Sequence, residues 1–346
     1  MLTHEAQNLN KENDNSDNKL TYLLLSPLIQ RCIYIAAELG ISDFLAIENL
    51  SIEEISLKTN THSPSLYRMM RLLVNVGLYY ETEDHKFALK PMGDLLRIDS
   101  KKSMRNYALF MGSEWIWNVW GHGKYSIESG NTSQQEIYGK GIFEFLNENE
   151  NLKGIFNRGM TSGTLRSVEQ IINSYKFSNQ KTIVDVGGGN GILLAKILKT
   201  SPELKGVLYD QYSVIEKSEI TFLEEGVNDQ VKLIGGNFFN SVPHGGDLYI
   251  LKYILHDWDD ESAVVILKNI ASVLNRNSRL IIIETILSKD NESNIAILRD
   301  MIMLFLVGGK ERTKDEYEIL INKSGLQLTN VFSTNSPISI IEVKVK

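Results

Sequence analysis

Residues 182–198, TIVDVGGGNGILLAKIL, place one acid in an apolar run and follow it with glycines. Asp185 precedes Gly187, Gly188 and Gly189, then come Asn190 and Gly191, and apolar residues return at helical spacing. That order predicts a buried strand, a tight turn and a helix. Glycines suit such a turn because they tolerate positive φ and let a ligand approach the backbone, while the helix start behind them presents unpaired N–H groups. A nucleotide-like ligand fits this arrangement. The dinucleotide spacing G-x-G-x-x-G is not met, since from Gly187 its third glycine would fall on Ile192. Asp210, nineteen residues beyond Gly191, closes the run VLY, where an acid can accept from both hydroxyls of a ribose. A glycine turn serving only strand–helix packing is the plainer alternative, and the second acid at this spacing weighs against it.

The elements around the turn follow from periodicity. After Asp210 come a helical stretch to about Glu225, strands at 231–235, 247–251 and 279–284, and a Met-rich helix over about 295–307. Thr313 and Glu316 make a capping box, their helix ends at Gly325, and strands at 326–332 and 338–345 close the chain. Strands alternating with helices predict a doubly wound α/β sheet, and two consecutive strands at the end add one antiparallel member.

The first half reads differently. Residues 1–18 are polar, with five Asn, and predict a disordered tail. Apolar residues at helical spacing over 27–45, a capping box at Ser51 and Glu54, a helix starting at Ser63 and Pro64, and two strand-like runs in 78–90 give the order of a winged helix. Its last helix offers only Arg68 and Arg71 to phosphates, and the hairpin holds Glu81, Glu83 and Asp84. With a net charge of -7, this favours a protein–protein module over 19–100 and argues against nucleic acid. Residues 101–175 are read as a helical linker and pocket region, rich in aromatic residues near Trp115, and Met160 and Thr164 are expected to face the nucleotide-like ligand. Residues 176–346 make the last domain. A single cysteine, Cys32, excludes an intramolecular disulfide framework and a Cys-rich metal site. No apolar run of membrane-spanning length is read, and residues 1–19 are not signal-like, so a cytoplasmic protein without membrane contact is expected.

The pattern D-x-G-x-G-x-G from Asp185 resembles the S-adenosylmethionine (SAM) loop of class I methyltransferases. VDVGGGNG, YDQ, GGNFFNSVPHGGDLYILKYILHDWDDE, IIIE and GGKERT, in this order, resemble the plant-type small-molecule O-methyltransferases of the caffeate and flavonoid kind and their bacterial secondary-metabolite relatives. The likeness covers nearly the whole chain, because the winged-helix half resembles that family's dimerisation domain. It implies a Rossmann-like catalytic domain, a homodimer, SAM as methyl donor with S-adenosylhomocysteine as product, no metal, and a phenolic or polyketide-like hydroxyl on a small aromatic acceptor.

The same resemblance makes His256 the general base, with Glu284 and Glu311 as supporting acids. Elementary chemistry agrees: a phenol of pKa near 10 is mostly protonated at neutral pH, and a neutral imidazole suits its deprotonation. Cofactor positions carried over are Thr164, Asp185, Gly187, Gly189, Asp210, Gln211, Asn237, Phe238, Lys252 through its carbonyl, and Trp258; Trp115, Met160, Asp257 and Met303 fall in the acceptor pocket. Asn237 departs from the Asp common in relatives. Plainer alternatives are a satisfied core histidine for His256, a solvated strand end for Lys252 and a core residue for Trp258. The rival functions are a SAM-binding relative that decarboxylates or hydroxylates, and a winged-helix regulator.

Overall fold

The computed structural model describes residues 2–288, 290 and 294–346, and the chain divides into two compact units, Met1–Trp117 and Asn118–Lys346.

Helix Leu2–Glu38 opens the first unit. It runs through the segment predicted as a disordered tail, where no Gly or Pro between 2 and 18 interrupts it. Its portion Asn15–Glu38 is long and apolar enough to cross a membrane by length and composition, with a mean hydropathy of 1.4. This corrects the reading that no such run exists; Ser26, Pro27 and Arg31 punctuate the run and hide its length in the sequence. Gly40, at φ 67°, breaks the helix, and Ile41–Leu45 follows. Ser51 caps helix Ile52–Thr59 by the predicted box, its hydroxyl accepting from the Glu54 N–H and the Glu54 carboxylate accepting from the Ser51 N–H. In helix Ser63–Asn75 the cap position belongs to His62, so Ser63 is already helical and Pro64 lies in the first turn. Strands β1 (Leu50–Ser51), β2 (Tyr79–Glu81) and β3 (Lys86–Leu89) pair antiparallel in the order β1-β3-β2, which completes the winged-helix arrangement around Ile41, Ile55, Met70, Leu73, Tyr79 and Phe87.

Residues 101–175 are not one region. Arg105 donates to the Ala37 carbonyl at 2.9 Å and to Asp43 at 3.0 Å, Arg31 donates to the Gly112 carbonyl at 2.7 Å, and the Trp117 indole donates to Gln30 at 3.1 Å. These bonds hold 105–117 in the first unit. Trp115 is buried there with its ring 5.9 Å from that of Phe110.

The second unit is built on β4 (Thr182–Val186), β5 (Lys205–Asp210), β6 (Val231–Gly235), β7 (Leu248–Lys252) and β8 (Arg279–Leu287), all parallel, with β9 (Arg312–Thr313), β10 (Leu326–Ser333) and β11 (Ile338–Val345). The order is β10-β11-β8-β7-β4-β5-β6; β11 is antiparallel to both neighbours and β9 pairs with the end of β8. Alternation along each strand feeds two cores. Leu248, Ile250, Ile281 and Ile283 pack on the face that also buries Leu194 and Phe222, while Tyr249, Leu251, Leu280 and Ile282 pack on the face of Ile266 and Leu320. From β4 the strand order grows outward in both directions, so the crevice beyond the carboxyl ends of β4, β5 and β7 is where such a sheet holds a ligand. β8 passes beyond its predicted end because Thr285 pairs with Ile338 and Ile286 with Arg312, which buries Glu284 completely. Helix Asn294–Ile302 continues into a π-helical turn, Met303–Val307, that stops at Gly308 with φ 95°.

Candidate active site

The glycine turn forms as its sequence requires. Gly187, Gly189 and Gly191 take φ of 69°, 62° and 80°, values open to glycine and strained for other residues. Their missing side chains serve different ends. A Cβ on Gly187 would meet Ile254 Cδ1 at 2.5 Å, and one on Gly191 would strike the Phe222 ring, so these two permit packing; a Cβ on Gly189 would meet open space. Of the three, only Gly189 leaves the space beside its Cα open. Its N–H donates to Asp210 Oδ2 at 2.8 Å, and the Gln211 N–H donates to Oδ1 at 2.6 Å. Asp210 is thereby fixed at the end of β5 and keeps lone pairs for two further donors. Gln211 itself is exposed and heads helix Tyr212–Glu225.

Beneath the turn, Asp185 is fully buried and neither carboxylate oxygen has a hydrogen-bond partner. Burial pushes its pKa up to about 7, against the pull of Lys252. An unpartnered buried carboxylate is costly, and its persistence points to a donor that arrives with a ligand. Lys252, at the end of β7, is not a solvated residue: its amine is buried, donates to Thr164 Oγ1 at 3.0 Å and lies 4.4 Å from the Tyr253 ring centre. Burial lowers its pKa to about 8. Thr164 comes from helix Glu150–Ser174, which also carries the half-exposed Met160 one turn earlier.

An aromatic cluster closes the β6 side. Trp258 stacks with Phe143 at 6.0 Å, and Phe238 and Phe239 meet its edge at 6.2 and 4.7 Å. Trp258 stays partly open, as a wall does. Asn237 is exposed, and its Oδ1 already accepts from the Phe239 N–H at 2.9 Å.

His256 sits on a single 3-10 turn, Leu255–Asp257, just past β7. Its Nδ1 is 3.0 Å from Glu311 Oε1 and 3.7 Å from Glu284 Oε2, and its Nε2 is 3.4 Å from Asp257 Oδ1. Glu284 spends its other oxygen on the main chain, accepting from the Ile254 and Leu255 N–H groups at 3.0 Å each. Burial alone would lower the His256 pKa, but Glu284, Asp257 and Glu311 outweigh it and hold the imidazolium up to about 9. The carboxylates around the ring therefore favour its protonated form. Burial pushes Asp257 up to about 6 and Glu284 up to about 7. His256, Glu284 and Glu311 each offer an atom within 4.8 Å of the others, a spacing that a divalent cation also fits. The Nδ1 that would ligate it is at hydrogen-bond distance from Glu311. Met303, buried, lies on the π-helical turn.

Sequence reasoning missed several neighbours. Tyr253 stacks on His256 with ring centres 5.1 Å apart and planes 19° apart, and does so with φ 54°, an outlier for a bulky residue. Arg299 donates to the Tyr253 hydroxyl, and to Thr285 Oγ1 at 2.8 Å. Phe143, Gly309 and Arg312 also belong to the site. Only the GGKERT string held a signal for the last two.

Comparisons with known proteins give the family. An O-methyltransferase domain matches residues 120–327 and an O-methyltransferase dimerisation domain matches residues 22–98. The chain is 35% identical, over 316 residues, to a phenazine O-methyltransferase of Lysobacter antibioticus, covering 91% of this chain and 92% of that one. A solved mitomycin 7-O-methyltransferase superposes with a TM-score of 0.89 at 29% identity, over 97% of this chain and 100% of that one. A methyltransferase of calicheamicin biosynthesis, solved with S-adenosylhomocysteine bound, gives a TM-score of 0.86 at 27% identity over 96% and 98%. The chain belongs to the SAM-dependent O-methyltransferases whose catalytic domain follows a dimerisation domain.

Proposed function

We propose that the chain methylates a phenolic or polyketide-like hydroxyl of a small aromatic metabolite, with His256 as general base and Glu284 and Glu311 as its supports. The observation that carries this reading is the His256 Nδ1–Glu311 bond of 3.0 Å, which turns Nδ1 toward Glu311 and leaves Nε2 on the opposite side of the ring. The phenazine and mitomycin enzymes it resembles suggest an aromatic acceptor.

SAM supplies an electrophilic methyl on a sulfonium. The residues fit it: Asp185 has two unpartnered oxygens, Gly189 exposes bare backbone, and Asp210 retains lone pairs suited to ribose hydroxyls. Trp258, Phe238 and Phe143 offer flat faces for a base, and Asn237 keeps an amide lone pair for its exocyclic amine. His256, once it has lost its own proton, takes the acceptor's at Nε2. Glu311 then stabilises the imidazolium through Nδ1 and holds the ring in one tautomer. Much of the gain would come from these residues holding the acceptor oxygen in line with the methyl that the bound donor would supply. Asp257, beside the His256 Nε2, and Met303, on the π-helical turn, together with Met160, are proposed to border the acceptor.

His256→Ala should leave S-adenosylhomocysteine affinity within about twofold while lowering kcat by roughly 100-fold or more. Near-wild-type turnover at neutral pH would sink the assignment. The same assay in excess EDTA should show undiminished turnover; a loss restored by a divalent cation would instead make the triad a metal site.

A further inference from the structure

We propose that Arg312 is a positioning residue for the base: its buried guanidinium grips the main-chain carbonyls on both sides of His256 and fixes the turn from which the imidazole projects. This rests on the reading of His256 as the base.

Arg312 is fully buried, an uncommon state for an arginine without a specific task. Its Nη1 donates to the Leu255 carbonyl at 2.7 Å and its Nη2 to the Trp258 carbonyl at 2.7 Å. Nε and Nη2 also reach Asp260 Oδ1 at 3.0 and 2.9 Å. Leu255 precedes the histidine and Trp258 ends its turn, so the guanidinium spans the whole element. Glu284 holds the same turn from the opposite polarity, through the Ile254 and Leu255 N–H groups.

Two further observations show that the turn is held as a unit. A Cβ on Gly309 would land on the His256 carbonyl oxygen and crowd the Asp257–Trp258 peptide, so segment 309–312 lies directly against the back of the turn. The pairing of Ile286 with Arg312 sets the register of β9 on β8, two residues past Glu284 on one strand and one residue past Glu311 on the other. A planar fork of donors is what two carbonyls and a carboxylate require; a lysine is a point charge and cannot reach all three. A misplacement of about 1 Å in a reacting group can cost on the order of 100-fold in rate.

The competing role is structural only, an ion pair with Asp260 that steadies the start of helix Asp260–Ala271. Arg312→Lys, Arg312→Gln and Asp260→Asn separate the two, each made in the wild-type and His256→Ala backgrounds. Acceptor kcat and KM, calorimetric affinity for S-adenosylhomocysteine and the thermal midpoint are measured for all. Both Arg312 variants should lose about 10- to 100-fold in kcat, with that affinity held within about twofold, while Asp260→Asn stays within about threefold of wild type. In the His256→Ala background the Arg312 substitutions should add no further loss, since there is no base left to misplace. An equal further loss there, an Asp260→Asn effect as large as that of Arg312→Lys, or unchanged kcat in a folded Arg312→Lys would each overturn the proposal. Should Arg312→Gln fail to fold, Arg312→Lys carries the comparison. The His256→Ala protein alone tests the base, so failure of that reading is seen separately.

Discussion

At His256 the surrounding carboxylates and the task of a base pull in opposite directions. Glu284, Asp257 and Glu311 stabilise the imidazolium and hold its pKa near 9, which makes a proton, once taken, well placed but keeps the ring from accepting one at rest. A pKa raised in this direction leaves the neutral, proton-accepting ring in the minority at pH 7. Because the reactive form is the deprotonated one, kcat/KM should rise about tenfold per pH unit and bend near pH 9. The acceptor's phenol titrates in the same direction, nearer 10, so the control is His256→Ala: its residual rate should lose the bend near 9 and keep the later one. A profile already flat at pH 7 in the wild type would contradict the raised pKa. Asp185 poses a different test. Its carboxylate is buried without a hydrogen-bond partner, so Asp185→Asn removes a poorly solvated acid at nearly constant volume. The thermal midpoint should hold or rise, while affinity for S-adenosylhomocysteine should fall by about tenfold or more, as expected for a charged hydrogen bond lost. A lower midpoint with unchanged affinity would make Asp185 structural.

Elements differ in how plainly they announce themselves. The Thr182–Val186 strand and its glycine turn were legible because an apolar run, an acid and clustered glycines are local signals, and so were both capping boxes. The box at Thr313 gives a separable prediction. The Glu316 N–H donates to the Thr313 hydroxyl at 3.3 Å and the Glu316 carboxylate accepts the Thr313 N–H at 2.8 Å, one residue past Arg312. Thr313→Ala should cost about 1 kcal/mol of stability, read as a lower denaturant midpoint, with kcat within about twofold. If kcat fell as far as in an Arg312 variant, the cap rather than the guanidinium would be setting the turn. What the sequence hid is non-local. β1 is two residues long and exists only because Leu50 finds Phe87 in β3. Arg312 acts across 54 to 57 positions on the His256 turn, and Gly309 packs on the same turn from about as far along the chain, with no periodicity to betray them. The polar residues ahead of Tyr22 resemble a tail in composition, and helix Leu2–Glu38 runs through them with no Gly or Pro before Pro27 to interrupt it.

The first unit carries more apolar surface than its own core uses. Leu20, Leu24 and Leu28, one turn apart on helix Leu2–Glu38, are 58%, 70% and 60% exposed, and Leu23 and Leu25 flank them. The dimerisation domain matched over 22–98 includes most of this stripe, and a second copy of the chain is the occupant we propose for it. Full burial of a leucine stabilises by about 1.5–3 kcal/mol, so six leucines in a symmetric pair give at most about 9–18 kcal/mol. Lost translational and rotational freedom costs about 4–15 kcal/mol, which leaves the stripe by itself marginal. Tyr22, Leu23 and Leu25 must then contribute as well, and the pair should be sensitive to a single change at the stripe's most exposed point. Wild type should scatter light as twice 39.2 kDa at micromolar concentration, and Leu24→Glu should shift it toward 39.2 kDa with the second unit's S-adenosylhomocysteine affinity kept. The same stripe is apolar enough for a bilayer, so flotation with lipid vesicles is the companion measurement. A wild-type chain that stays monomeric at these concentrations, or one that floats with vesicles instead of pairing, would show that the leucines serve something other than a second copy.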